Sequence, residues 1–134
     1  MEIKFRGKQV DSGEWYVGFY AKGRHGGHYI LSEYNGLATN AHPVDGDTVG
    51  RWTGLKDKED VDIFEGDKLL SKTMLPLFAG KDDEHFAVVE WSNFYSGFIG
   101  NLRTTCYDIP ASKFGESEVI GNIHDNPKLL KETA

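Results

Sequence analysis

The chain has 134 residues, and its 15 Lys and Arg against 21 Asp and Glu give a formal net charge of −6 at pH 7. A chain of this length is expected to form one domain, spanning residues 1–134, around a single core. The acidic balance disfavours binding to nucleic acid over a broad face, because affinity for phosphates comes from clustered Lys and Arg.

Targeting segments are not visible in the sequence. The first ten residues, MEIKFRGKQV, lack the apolar centre of a signal peptide, and no run of 18 apolar residues occurs. We therefore expect neither secretion nor membrane insertion, and we predict a cytoplasmic protein with no membrane partner. Cys106 is the only cysteine, which excludes an intramolecular disulfide and a zinc site made of several thiolates.

Glycine spacing sets the fold class. Sixteen glycines are spread through the chain, with short apolar and aromatic runs between them, and this pattern predicts many strands joined by tight turns. The fold is therefore predicted to be all-β. In chain order, the predicted strands are residues 2–6, 14–21, 27–33, 48–53, 66–72, 85–91, 97–102 and 117–123. The apolar residues of these strands and of the segment before residue 66 form the predicted core, which consists of Ile3, Phe5, Val17, Phe19, Ile30, Val49, Ile63, Phe64, Leu69, Val88, Trp91, Phe98, Val119 and Ile123.

One short helix is predicted at about residues 126–132. Asn126 can accept a hydrogen bond from a free helix N–H, and Pro127 suits the first helical position because it lacks an N–H. Residues 73–84 combine a proline, apolar residues and a charged end, and they are interpreted as a longer excursion between two strands.

An acidic stretch in the middle of the chain, KDKEDVDIFEGD at residues 56–67, has six carboxylates and two lysines, a local charge of −4. Hard cations bind clustered oxygens, but the spacing does not match a calcium loop of the helix-loop-helix kind. Counted from Asp57, Val61 occupies the fifth position and Asp62 replaces the required glycine. We therefore predict no metal ion here.

The same stretch is better interpreted as a hairpin followed by a corner. Residues 56–60 would form a solvated tip, and Ile63 and Phe64 would return to the core. Gly66 would supply the permissive backbone of the corner, and Asp67 would accept main-chain N–H groups there.

Four segments carry a resemblance to a known family. They are MEIKFRG, TVGRWTGLKDKEDVDIFEGDKLL, VVEW and EVIGNIHDNPKLL. In this order they resemble the start, the central signature, the following strand and the ending of the YopX family of small phage and prophage proteins. The resemblance implies an all-β fold built around a small SH3-like barrel, carried in phage-derived genomes, with no established catalytic activity and no functional residues to carry over.

The chain departs from the family pattern at the hairpin tip. Glu59 and Asp60 stand where the family commonly has Asn-Gly. A two-residue turn of the Asn-Gly type is therefore not expected, and we predict a wider loop.

Aromatic residues make up 13% of the chain, more than a small barrel is expected to bury. Some of them should face a groove or a partner, and Trp15, Trp52 and Tyr95 are the candidate binding residues. The alternative is that the aromatic side chains simply fill a β core, where they pack readily.

Histidine and cysteine offer weaker candidates. His25 and His28 could ligate a metal if a third ligand came from His42, His85 or an Asp. Nothing in the spacing requires that third ligand, so a solvated turn is favoured. Cys106 is interpreted as a packed small hydrophobe rather than a nucleophile. No catalytic residue, metal ligand or cofactor is therefore predicted.

Three functions compete. The first is a non-enzymatic binding or assembly module that contacts protein, including a second copy of itself as a homo-oligomer. The second is a barrel that binds single-stranded nucleic acid, which needs several cations on one face. Those cations would be Arg24, Arg51, Arg103 and Lys113. The third is a metal-dependent phosphoester hydrolase. It would use Asp45, Asp47, Asp67 and His85.

Overall fold

The computed structural model describes residues 3–34, 37–70, 86–101 and 108–125. The prediction of an all-β fold is confirmed, since ten strands and one short 3-10 helix, Ala111–Glu116, make up most of the described chain. The strands are β1 (Phe5–Lys8), β2 (Trp15–Lys22), β3 (His28–Tyr34), β4 (Leu37–Lys56), β5 (Asp62–Phe64), β6 (Asp67–Leu70), β7 (Phe86–Ser92), β8 (Gly97–Asn101), β9 (Asp108–Pro110) and β10 (Glu118–Asn122).

A strand lies at each of the eight predicted positions. The two strands that were not predicted, β5 and β9, have three residues each, which is too short to display an alternating pattern. Strand β4 has 20 residues and extends well beyond the predicted range. The predicted helix at 126–132 and the predicted excursion at 73–84 lie outside the described residues.

The chain divides into two compact units, Met1–Trp52 and Thr53–Ala134. They are called the first and second unit below, and each is described by itself. The prediction of a single domain over residues 1–134 stays a prediction.

The sheet of the first unit closes on itself. Its strands follow the order β1-β2-β3-β4, and β1 also pairs with β4, all antiparallel. Strand β2 pairs with β1 up to Gly18 and with β3 from Phe19 onward. A Cβ on Gly18 would lie 2.1 Å from the carbonyl oxygen of Leu31, so glycine is needed where β2 changes partner. The result is a small barrel-like sheet.

The inner face of this closed sheet carries Ile30 and Val44, which are 0% and 7% exposed. A Cβ on Gly7 would point at both side chains, which identifies the side of β1 that faces inward. The outward set of β2 includes Val17 and Phe19, which are 48% and 45% exposed. The prediction that these two residues belong to the core was wrong, because alternation groups residues by face without saying which face is covered.

The second unit has a sheet in the order β10-β6-β7-β8-β9, again antiparallel. Its buried cluster is wholly apolar and draws one or two residues from each of several elements. The members are Ile63, Leu69, Ala87, Val89, Ile109 and Phe114. Phe98 and Val119 pack against this cluster, as predicted, whereas Trp91 was predicted to be buried and is 46% exposed. Ile3, another predicted core residue, is also exposed.

Candidate interaction surfaces

The hairpin between β7 and β8 presents aromatic side chains at its end. We call Trp91, Phe94, Tyr95 and Phe98 the aromatic hairpin. Phe94 is 87% exposed and Tyr95 is 60% exposed. Their rings pack edge to face with centroids 4.9 Å apart, and Trp91 packs in the same manner on Phe98 at 5.3 Å. The surface therefore consists of two ring pairs, and the two rings of each pair are already packed against each other within the chain.

Local bonds fix the shape of this turn. The Tyr95 amide donates to Oγ of Ser92 at 3.3 Å, and Nε1 of Trp91 donates to Oδ1 of Asn93 at 2.9 Å. Ser96 adopts a φ of 52°, in the left-handed region, which closes the turn before Gly97. The rings are therefore displayed on a defined turn, and ordering them on binding costs less than ordering a free loop.

The outer face of β1 combines cations with tryptophan. Lys4 immediately precedes β1, and its Nζ lies 4.2 Å from the ring centroid of Trp52. The guanidinium carbon of Arg6 lies 4.8 Å from the ring centroid of Trp15. Both distances are in the range of a cation–π interaction. Lys8 lies opposite Trp15 in the pairing of β1 with β2, so its side chain is on the same face as the Trp15 ring. Lys4, Arg6 and Lys8 are alternate residues, and all three cations therefore belong to one face. We call Lys4, Arg6, Lys8, Trp15 and Trp52 the basic aromatic face.

Two of the three predicted binding residues, Trp15 and Trp52, thus lie on the basic aromatic face, and both are half-buried. Tyr95, the third, lies in the aromatic hairpin of the other unit. The cations of β1 were missed by sequence reasoning. The available signal was the alternation in IKFRGK, where every second residue from Lys4 is basic.

The inner face of the first unit holds two pairs of tyrosine and histidine. Tyr16 stacks on His42 with centroids 3.9 Å apart and an interplanar angle of 4°. The hydroxyl of Tyr20 lies 2.6 Å from Nδ1 of His28, and the two rings are also stacked. The hydrogen bond from Tyr16 to Glu14 raises the pKa of Tyr16, with smaller effects from burial and from the Glu14 charge. His28, predicted to lie in a solvated turn, is therefore a half-buried strand residue.

The acidic stretch contains one residue whose role was predicted wrongly. Asp57 was expected to lie in a solvated hairpin tip, but it is only 6% exposed. Its Oδ1 accepts hydrogen bonds from the amides of Glu59 and Val61, and its Oδ2 accepts one from the amide of Val119. The carboxylate therefore closes the turn and ties it to β10. Only Lys58, Glu59 and Asp60 remain as an exposed three-residue tip.

The electrostatics of Asp57 follow from these contacts. Burial raises the pKa of the Asp57 carboxyl, but the hydrogen bonds from the Val119, Val61 and Glu59 amides, helped by the charge of Lys58, outweigh it. The pKa is therefore lower than the ordinary value of 3.8. The folded state therefore stabilises the ionised form of the Asp57 carboxyl.

The corner at residues 65–67 has the structure that was predicted. Gly66 has a φ of 91°, its amide donates to the Val89 carbonyl, and its carbonyl accepts from the Ile123 amide. Oδ2 of Asp67 accepts from the Phe64 amide at 2.8 Å, and Asp67 is 1% exposed. These interactions make the corner a structural element of the second unit.

The remaining candidates have local roles where the structure describes them. Oδ1 of Asp45 accepts from the Asp47 amide at 3.0 Å, which forms a turn. Arg24 is exposed, and Nζ of Lys113 lies 3.9 Å from Oε2 of Glu116. The other predicted residues, His85, Arg103 and Cys106, lie outside the described residues. Across 3–34, 37–70, 86–101 and 108–125, no group of three His, Cys, Asp or Glu residues could hold a metal ion.

The fold and these surfaces define a small all-β protein with two aromatic regions at its surface. The model of the YopX family, described as "YopX protein", matches residues 4–131, and the chain belongs to that family. No curated protein matches the chain. Among solved structures, the chain is similar to the crystal structure of protein EF1440 from Enterococcus faecalis, with a TM-score of 0.58 and 20% identity. The match covers 97% of this chain and 99% of that one, and at this identity it supports the fold alone.

Within the described residues, no helix has both the length and the apolar composition needed to cross a bilayer.

Proposed function

We propose that this YopX-family protein is a phage-derived, non-enzymatic binding module of the cytoplasm, which acts through protein contacts made by the aromatic hairpin. The observation that carries the proposal is the exposure of Phe94 and Tyr95 at the end of a well-formed hairpin. We further propose that the closed sheet of the first unit is the SH3-like barrel that the family resemblance implies.

The area of the aromatic hairpin fits the centre of an interface. Given the exposed fractions of Trp91, Phe94 and Tyr95, full burial would remove on the order of 400 Å² of aromatic surface from water, about half of the roughly 800 Å² that each partner contributes to a standard interface. Tryptophan and tyrosine are the residue types most enriched among those that dominate binding energy, especially at the centre of a contact.

A second copy of the chain is the partner that we propose. Residues 91–98, WSNFYSGF, contain no charged side chain, although the whole chain has a net charge of −6. Two copies can therefore bring these hairpins together without placing like charges at the contact. In a two-fold contact each patch is used by both copies, and aromatic rings pack well on one another edge to face.

Light scattering across a dilution series tests this proposal. The mass of the parent is expected to rise above the 15.0 kDa of one chain as concentration increases. The double variant Phe94→Ser/Tyr95→Ser should stay at the mass of one chain, because it removes the two most exposed rings of the contact. The control double variant Val10→Ser/Val61→Ser removes two exposed apolar side chains elsewhere and should behave as the parent does.

The result that contradicts self-association is a parent that keeps the mass of one chain at every concentration. Equal dissociation of both double variants would also contradict it, since it would show that general surface hydrophobicity drives the association. Circular dichroism of each variant verifies that the fold is retained.

A further inference from the structure

We propose that the basic aromatic face of the first unit binds single-stranded nucleic acid. The face is defined by Lys4, Arg6 and Lys8 along the outer side of β1, with Trp52 on one side and Trp15 on the other. This proposal concerns a different unit and a different class of partner from the aromatic hairpin.

Charge segregation is the first argument. Strand β1 pairs with β2 on one side and with β4 on the other. The neighbouring segments are residues 3–8 (IKFRGK), 15–21 (WYVGFYA) and 48–52 (TVGRW). The first holds the three cations of the outer face, and none of the three holds an Asp or Glu. Arg51 in the last segment lies opposite Phe5, so it belongs to the other face of the sheet and is not part of the patch. In a chain with 21 carboxylates, this patch is locally cationic, which favours a polyanion.

The boundary of the patch is equally clear. Lys8 lies opposite Asp45 in the register of β1 and β4, and Glu14 immediately precedes Trp15. Carboxylates therefore begin at the Lys8 end, and the cationic part is centred on Lys4 and Arg6. A chain that is acidic overall can bind one strand of nucleic acid in such a patch, but it cannot bind nucleic acid over a broad face.

Geometry is the second argument. Alternate residues of a strand project from the same face, about 6.8 Å apart, so Lys4, Arg6 and Lys8 form an evenly spaced row of charges. Single-strand-binding proteins combine such a row, which follows the phosphates, with aromatic rings on which bases stack. Here each tryptophan already lies under a cation, so ring and charge are presented together.

The exposed apolar residues of β2 extend the surface beside this row. Val17 lies opposite Arg6, and Phe19 follows two positions later on the same face. Exposed rings and aliphatic groups beside a cationic row can contact the faces of unstacked bases, which a duplex keeps buried in its stack. A single strand is therefore favoured over duplex DNA as the ligand.

Fluorescence anisotropy with a labelled oligothymidylate of about 16 nucleotides, the upper site size of one small barrel, tests the proposal. We expect saturable binding at about 50 mM salt that weakens steeply by about 200 mM. The variant Lys4→Gln/Lys8→Gln should lose about tenfold or more in affinity. Its salt dependence should fall by about 1.4 in the slope of log K against log salt, since each single-strand contact contributes about 0.7.

The matched control is Lys22→Gln/Arg24→Gln, which removes two charges from exposed positions of the same unit outside the patch. Its affinity should stay within about twofold of the parent. In a Trp91→Phe variant the remaining tryptophans are Trp15 and Trp52, so their fluorescence should be quenched when the oligonucleotide binds.

Four results overturn the proposal. The first is the absence of oligonucleotide binding by the parent at about 50 mM salt. The second is an equal loss of affinity in both double variants. The third is binding without any change in tryptophan fluorescence. The fourth is binding to phosphatidylserine vesicles without binding to the oligonucleotide, which would assign the face to an anionic membrane instead. Matching melting temperatures for the two double variants exclude unfolding as the cause of a difference.

Discussion

The two units are stabilised by different means. Among its described residues, the second unit has a cluster of six buried apolar side chains that includes Phe114 and Leu69, both 0% exposed. Among the described side chains on the inner face of the first unit, only Ile30 and Val44 are buried apolar residues, with glycines and stacked Tyr–His pairs around them. The second unit is thus stabilised by a packed apolar core, and the first by strands whose backbones approach closely in a closed sheet. The two units should therefore respond differently to substitution.

The largest effect is expected for Phe114→Ala. The ring of Phe114 is fully buried in the second unit, so its removal loses transfer free energy and leaves a cavity. The free energy of unfolding should fall by about 3–5 kcal/mol, as measured by urea denaturation. Phe19→Ala is the comparison, because Phe19 is 45% exposed. An equal loss for both variants would contradict the assigned core.

Gly18→Ala tests the first unit. The added Cβ would lie 2.1 Å from the Leu31 carbonyl oxygen, and backbone must shift to relieve this overlap. We expect a loss of about 2–3 kcal/mol in the free energy of unfolding. Gly115→Ala is the control, since nothing lies within 4 Å of a Cβ there. A Gly18→Ala variant as stable as the parent would show that β2 and β3 are not held this closely.

Gly66→Val tests the corner of the second unit. At a φ of 91° a side chain with a Cβ is strained, and the loss should be on the order of 1–3 kcal/mol. Gly97→Val serves as control, because Gly97 has no such φ and its nearest contact is 3.9 Å away. Thermal unfolding of the two variants side by side distinguishes strain at the corner from a general effect of adding valine.

Asp57→Asn should reduce stability by about 1–2 kcal/mol, because the amide keeps one acceptor oxygen and loses the charge that the three N–H groups bind. The pKa of Asp57 is lowered in the fold, so its contribution is present above the unfolded value of 3.8 and is lost as pH falls through the folded pKa. The difference between parent and variant should therefore shrink in acid, which urea denaturation at several pH values measures.

Asp60→Asn makes the same chemical change three residues away, on an exposed side chain, and should change stability by less than about half a kcal/mol. Asparagine also tolerates the φ of 67° found at Asp60. If the acidic stretch instead bound calcium, the parent would gain melting temperature on adding the ion and Asp60→Asn would lose that gain. No gain is expected.

Much of the local structure could be predicted from the sequence. Alternation and glycine spacing act between near neighbours, so they located eight strands and the corner at Gly66. The family segments were visible in the same way. The short strands β5 and β9 could not be predicted, because three residues contain too little pattern and depend on a partner strand.

The candidate surfaces could be predicted only in part. Tyr95 and Trp15 were named from the aromatic surplus, but the cations beside Trp15 were not. Lys4 and Trp52 are 48 residues apart in the sequence, and only the pairing of β1 with β4 brings them within 4.2 Å. The role of Asp57 was missed for the same reason, since its partner Val119 is 62 residues away.

The segment WYVGFYA at residues 15–21 separates what the sequence by itself determined from what only the tertiary structure decided. Its alternation determined a strand with two faces, because side chains of a strand project to opposite sides in turn. Tertiary structure decided that Tyr16, Gly18 and Tyr20 face inward, while the more apolar Val17 and Phe19 face outward. Closure of the sheet requires the glycine inside, and histidines on β3 and β4 supply partners for the tyrosines.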